Sequence, residues 1–227
     1  MPFKGPLFLC LETSTPLGSV AIFEGEKLRC CLELQLSENT HAKSITIMVQ
    51  YCLHLCNITL ANLSAIVCAI GPGSYTGLRI GLSTAKGFCY ATGLPLITIP
   101  TLAGIASAAI PFAGPNSLIC PMVDARRMEV YTALYNTQLT EIQAANALVV
   151  SDGAFSELLA EREVWFLGDG AEKCRAILEL NPNARMIKGI EASARNLGIL
   201  ANRFFNDKLF ADLAYSVPFY LKQANVG

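Results

Sequence analysis

The residues best placed for chemistry lie at two strand ends and in one glycine-rich turn. Glu12 ends an apolar run and is followed by Thr13 and Ser14, while Asp124 ends a second run and is followed by Ala125-Arg126-Arg127. Two strand-end acids facing each other across a cleft could hold a magnesium nucleotide, although capping the turns that follow them is the commoner role. Gly71-Pro72-Gly73-Ser74-Tyr75-Thr76-Gly77-Leu78-Arg79 reads as a strand ending in a glycine turn that opens a helix, whose free N–H groups can cradle an anion. It lacks the Lys-Ser/Thr ending of a nucleotide P-loop and the spacing of a dinucleotide fingerprint, so a tight strand-to-helix turn is an equal reading. The chain has two histidines, His41 and His54, with no G-x-S-x-G turn and no metal-ligand cluster, so no complete catalytic set is present. Cys52, His54 and Cys56 invite a zinc reading, but on a helix the two cysteines share a face that His54 does not, and ordinary packing is favoured.

These residues need a frame. Residues 7–12 and 19–23 form a hairpin, 28–36 a third strand, and Asn39 or Thr40 can cap a helix from 41 to about 56. Residues 63–70 form a buried strand, Ser74 or Thr76 caps a helix to about 91, 94–99 is another buried strand, and 101–110 is a short helix. The order β-β-β-α-β-α-β-α gives a mixed sheet with helices on its faces, the order of the ribonuclease H-like fold. After a proline break at 111–115, the strand at 118–123 and the β-rich segment at 129–135 repeat the start of the chain, which implies an internal duplication. The second unit reads as truncated, with a strand at 139–150, a helix at 152–160, a strand at 164–167 and a helix at 171–178. A last helix at about 192–206 is expected to return to the first unit. The expected domains are therefore 1–112 plus 192–227 and a smaller 113–191.

Gly77, Gly81 and Ala85 fall four apart on one helix and form a small-residue groove in which another helix can approach closely. The preceding helix, with Ile45, Ile47, Met48, Val49, Tyr51, Cys52, Leu53 and Leu55, exceeds one apolar stripe. One face can cover its own sheet and the other can meet a neighbouring helix or subunit, with full enclosure as the alternative. A partner surface is expected on Ile45, Met48, Val49, Cys52, Ser74, Tyr75, Thr76, Gly77, Leu78, Gly81 and Ala85.

The 227 residues are 52% hydrophobic and 15% charged, which excludes a disordered chain, and a net charge of -1 provides no basic field for holding a polyanion. If the protein serves nucleic acid, a partner does the holding. Nine scattered cysteines, mostly inside apolar runs, read as buried free thiols in a reducing compartment, and the absence of a signal peptide implies a cytoplasmic protein. Residues 88–116 carry no charge, but Gly93, Pro95, Pro100, Pro111 and Pro115 cut this stretch into pieces too short to span a membrane.

Leu9-Cys10-Leu11-Glu12-Thr13-Ser14-Thr15, His41, the 71–79 motif, Ala85-Lys86-Gly87, Thr101-Leu102, Asp124-Ala125-Arg126 and Tyr131 together resemble the TsaB (YeaZ) family. The resemblance covers nearly the whole chain and is strongest over 69–102. Glu12 stands where the family usually has Asp, and Lys222 where Arg is usual. The resemblance implies an α/β, actin-like ATPase fold of two ribonuclease H-like units. It also implies a bacterial subunit in the synthesis of threonylcarbamoyladenosine beside the tRNA anticodon, without catalysis of its own. The implied partners are a TsaD-type catalytic subunit, met through a bundle of N-terminal helices, and a TsaE-type ATPase; tRNA is reached through the complex, and a homodimer is open when the chain is alone. ATP or ADP with magnesium at the partner interface, touching Glu12, Thr13, Ser14 and Asp124, also stays open. The TsaD-type metal histidines align with Thr101 and Ile105, which cannot bind metal. The alternative is a self-sufficient actin-like ATPase or a glycoprotease-like metallopeptidase.

Overall fold

The computed structural model describes residues 3–35 and 41–222, so the expected caps Asn39 and Thr40 and the side chain of His41 lie outside the described residues. The chain forms two compact units, Met1–Gly104 with Ser193–Tyr220, and Ile105–Ala192 with Leu221–Gly227.

The first unit contains β1 (Leu7–Glu12), β2 (Leu17–Glu24), β3 (Lys27–Gln35), α1 (His41–Leu55), β4 (Ala65–Ala69), α2 (Tyr75–Thr92) and β5 (Leu96–Ile99). Its sheet runs β3-β2-β1-β4-β5, antiparallel from β3 to β1 and parallel from β1 to β5. β1 and β4 are buried at every position, which is why they read as unbroken apolar runs rather than alternating ones. On one face, Leu9, Leu11, Val20 and Ile22 meet Ile45, Met48, Val49 and Cys52 of α1 and Leu82, Ala85 and Cys89 of α2. Each of the larger side chains contributes about 1.5–3 kcal/mol by leaving water. Phe8, one residue out of phase with Leu9, stacks with Phe205 at 5.3 Å between ring centres. α2 has clean ends: the Ser74 hydroxyl accepts from the Gly77 N–H at 3.2 Å, and Gly93, left-handed at φ 74°, donates to Cys89 at 2.8 Å. α3 (Thr101–Ser107) follows β5.

The second unit contains β6 (Leu118–Asp124), β7 (Glu129–Tyr135), β8 (Glu141–Val149), α4 (Ser156–Glu161), β9 (Val164–Leu167), α5 (Asp169–Leu178) and β10 (Ala184–Ile187). Its sheet, β10-β9-β6-β7-β8, has the strand order and directions of the first. The repeat expected from the two acid-ended strands is thus present in the topology. Its shortening falls on the helices, 6 and 10 residues against 15 and 18. β10 was not expected: four residues with Arg185 among them carry too little apolar pattern, a common guise of an edge strand.

The expected helix at 192–206 is broken into a 3-10 turn at Ala194–Asn196 and α6 (Gly198–Asn206). The Ser193 hydroxyl caps the turn through the Arg195 N–H at 3.1 Å, and a Cβ at Gly198 would run into the Phe23 ring, so α6 starts where the backbone touches β2. Both pieces belong to the first unit. No helix among the described residues is long and apolar enough to cross a membrane.

Candidate functional site

The two strand-end acids do the same local work. Glu12 accepts the Ser14 N–H at 2.7 Å and Asp124 accepts the Arg126 N–H at 2.7 Å, each bonding two residues ahead into its hairpin turn. Their surroundings differ. Glu12 is buried, and desolvation pushes its carboxyl above the usual range despite the opposing backbone hydrogen bonds. Asp124 is exposed and paired with Lys173, while its N–H donates to Asp169 at 3.0 Å. Glu12, Thr13 and Ser14 do not fit a magnesium triphosphate cradle within their unit: burial opposes the carboxylate charge that magnesium needs, and no Lys or Arg stands among Glu12-Thr13-Ser14-Thr15 or Gly71-Pro72-Gly73-Ser74.

The glycine stretch faces that same turn. Cβ atoms built on Gly73 and Gly77 would strike the carbonyls of Ser14 and Thr13, and one on Gly81 would strike the Thr13 hydroxyl. The Ser14 carbonyl accepts from the Ser74 N–H at 2.6 Å, and the Thr13 hydroxyl donates to the Gly77 carbonyl at 2.8 Å. The stripe therefore brings α2 onto the β1–β2 turn, and the expectation that a partner helix fills it is corrected. The C-terminal segment closes the other side. Phe219 donates to the Ile70 carbonyl at 2.7 Å, and its own carbonyl lies against Gly71, whose φ of 115° suits no side chain. Tyr220 stacks on Tyr75 at 4.7 Å, and its hydroxyl accepts from Arg79 Nε at 3.2 Å. Sequence reasoning missed this latch because nothing in the spacing links residues 141 positions apart.

Eight of the eleven expected partner residues, Ile45, Met48, Val49, Cys52, Gly77, Leu78, Gly81 and Ala85, are buried within their own unit. Ser74 is half-buried at the helix cap, whereas Tyr75 and Thr76 are exposed. The apolar surface that α1 offers is the opposite one: Ile47, Tyr51 and Leu55, four residues apart, are 43%, 59% and 65% exposed. On α2 beside it, Thr76, Ser83, Gly87 and Tyr90 are exposed and Ile80 is half-buried, spaced four and three apart as in a helix-bundle seam. Tyr90 is 87% exposed, and nothing lies within 4 Å of a Cβ built on Gly87. An apolar row beside a row of small residues suits close approach by other helices. Periodicity found both faces of α1 but could not say which one the sheet takes.

The profile of the family described as "TsaD: tRNA N6-adenosine threonylcarbamoyltransferase" matches residues 35–226. The chain belongs to this family. Its relatives include proteins named TsaB. The Bacillus subtilis tRNA threonylcarbamoyladenosine biosynthesis protein TsaB is 29% identical over 95% of this chain and 94% of its own length. The Escherichia coli protein of that name is 35% identical over 56% of this chain and 54% of its own length. In fold, the chain matches the crystal structure of YeaZ from Pseudomonas aeruginosa with a TM-score of 0.76, covering 95% of this chain and all of that one at 23% identity. A second Pseudomonas aeruginosa structure, described by its similarity to the peptidase YeaZ, gives 0.79 over 96% of this chain at 24% identity. The fold is the actin-like ATPase fold of two ribonuclease H-like units.

Thr101 and Ile105, the positions expected to match the metal histidines of TsaD-type proteins, are both buried. The Thr101 hydroxyl accepts from the Gly71 N–H at 3.1 Å and the Thr101 N–H donates back to the Gly71 carbonyl at 2.8 Å, so this position pins the glycine turn. Among the described residues, no group of three or more His, Cys, Asp and Glu is arranged to hold a metal ion.

Proposed function

We propose that this chain is a non-catalytic subunit in the synthesis of threonylcarbamoyladenosine in tRNA, docking on a TsaD-type catalytic subunit through the outward faces of α1 and α2. The observation that carries the reading is the exposed apolar row Ile47, Tyr51 and Leu55 beside the small residues of α2. A soluble domain gains nothing by wetting such a row, and helices packed against it would bury it. The TsaB relatives support the pathway. In this reading a TsaE-type ATPase joins the complex, tRNA is reached through the catalytic subunit, and a second copy of the chain can cover the same face when no partner is present.

The test is threonylcarbamoylation of tRNA by TsaC-, TsaD- and TsaE-type proteins with ATP, threonine and bicarbonate, with and without this chain. Product only when the chain is present is expected. Equal product without it overturns the reading. ATP hydrolysis by the chain alone, abolished by Asp124→Ala, would instead make it an enzyme.

A further inference from the structure

Three thiols of the first unit converge beneath α1. Cys52 of α1 and Cys56, just past its end, are one turn apart and pack toward the sheet, and the Sγ of Cys30 on β3 is 3.6 Å from that of Cys52. Cys30 also stands near enough to Cys56 to add to the rise of its thiol, after burial. Neighbouring Cys31 points the other way, toward Ser193 and Arg195, as alternation along a strand requires. Cys30 and Cys56 are partly exposed, so a small oxidant can reach the group, whereas Cys52 is buried. Sulfurs at 3.6 Å are in van der Waals contact, and a disulfide at about 2.05 Å requires them to close by only about 1.5 Å.

We infer that Cys30 and Cys52 are an oxidative modification site, in which a peroxide links β3 to α1 through a reversible disulfide. Cys30 loses its proton and attacks the peroxide, giving a sulfenic acid and one molecule of water. The Cys52 sulfur then displaces the sulfenic hydroxyl, which leaves with the Cys52 proton as a second water; the two thiols lose two electrons and the peroxide gains them. Burial pushes the thiols of Cys52 and Cys56 up, which keeps both protonated, so the partly exposed Cys30 is the thiol that meets the oxidant first. The link would draw the last turns of α1 toward β3. Tyr51 and Leu55 flank Cys52 and Cys56 on the outward side, so oxidation alters the face that meets the partner; this last step rests on the function proposed above.

The test uses the full chain, treated with a few equivalents of hydrogen peroxide, alkylated, and digested with trypsin without reductant. Cys30 and Cys31 fall in the peptide 30–43, and Cys52, Cys56 and Cys68 in 44–79, so single Ser variants assign the thiol at each end. Expected are a 30–43/44–79 cross-link that reductant removes, its loss in Cys30→Ser and in Cys52→Ser, its survival in Cys31→Ser and in Cys56→Ser, and a melting temperature raised by about 4 °C or more. Absence of the cross-link from the oxidised wild-type chain, or its persistence in a folded Cys30→Ser protein, overturns the site. Affinity for a TsaD-type protein is then measured for both forms, and about tenfold weaker binding of the oxidised one is expected. Equal binding overturns the coupling to α1 while leaving the partner reading intact. If neither form binds, the partner reading fails and the thiol site stands on the mass data alone.

Discussion

Thr13 donates its hydroxyl to the Gly77 carbonyl and leaves no room for a side chain at Gly77 or Gly81. Gly77→Ala would push a methyl group into backbone, and Gly81→Ala into a side chain that can turn, so Gly77→Ala should cost more, within about 1–3 kcal/mol for overpacking. Gly87→Ala, in open space on the same helix, should instead stabilise by about 0.5–1 kcal/mol. Urea unfolding of the three variants checks the order. Glu12 gives a pH signature. Its folded pKa is raised, so the native state holds this proton more tightly than the unfolded chain, and the stability gained is present below the ordinary glutamate range and lost as pH rises through the raised value. Glu12→Gln keeps an oxygen for the Ser14 N–H and removes that loss. Its melting temperature relative to wild type should therefore climb as pH rises above the ordinary glutamate range; a constant difference would count against a desolvated carboxylate. At this scale, the turn-capping reading of both acids could be made from sequence, as could the small-residue stripe at 77, 81 and 85. The occupant of the stripe could not, because a period of 3.6 names a face and leaves its neighbour open.

α1 separates two kinds of apolar residue within one helix. Met48→Asp buries a charge against the sheet and should unfold the first unit, whereas Tyr51→Asp or Leu55→Asp should change stability by no more than about 0.5 kcal/mol yet abolish capture of a TsaD-type protein. Gly87→Leu makes the same point from α2: a folded, fully stable protein that fails to bind, because the close approach is blocked. Circular dichroism melts paired with calorimetric titration against the partner distinguish the outcomes, and unchanged binding by Leu55→Asp would count against this face. Most elements were legible because their signals are local: the Ser74 cap, the Gly93 stop, and the unbroken apolar runs of β1 and β4. β10 and the break at Leu197 were not, because the first depends on pairing with β9 and the second on Gly198 meeting Phe23, contacts that sequence order does not encode.

The two sheets share one strand plan, and the first draws on residues 193–220 to finish it. The Ala194 N–H donates to the buried Ser19 hydroxyl at 2.8 Å, Phe205 stacks on Phe8, and Ala211 bridges to Leu96 at the sheet edge. A chain ending at Ala192 keeps every strand of both sheets yet loses these contacts. It should show a cooperative melt for the second unit only, with rapid amide exchange in β1 and β4; native protection there would refute the dependence. The duplication itself was visible in the two acid-ended strands, whereas the expected return of the last helix rested on no local pattern. What fills the far face of the first sheet emerged only from the folded chain. The same discontinuity has a consequence on the ribosome. The second unit's strands are complete once residue 187 is made, whereas β1 to β5, synthesised first, wait for residues 193–220. At about 5–20 residues per second that wait lasts on the order of ten seconds, during which the oldest part of the nascent polypeptide is the least finished and the most in need of a chaperone.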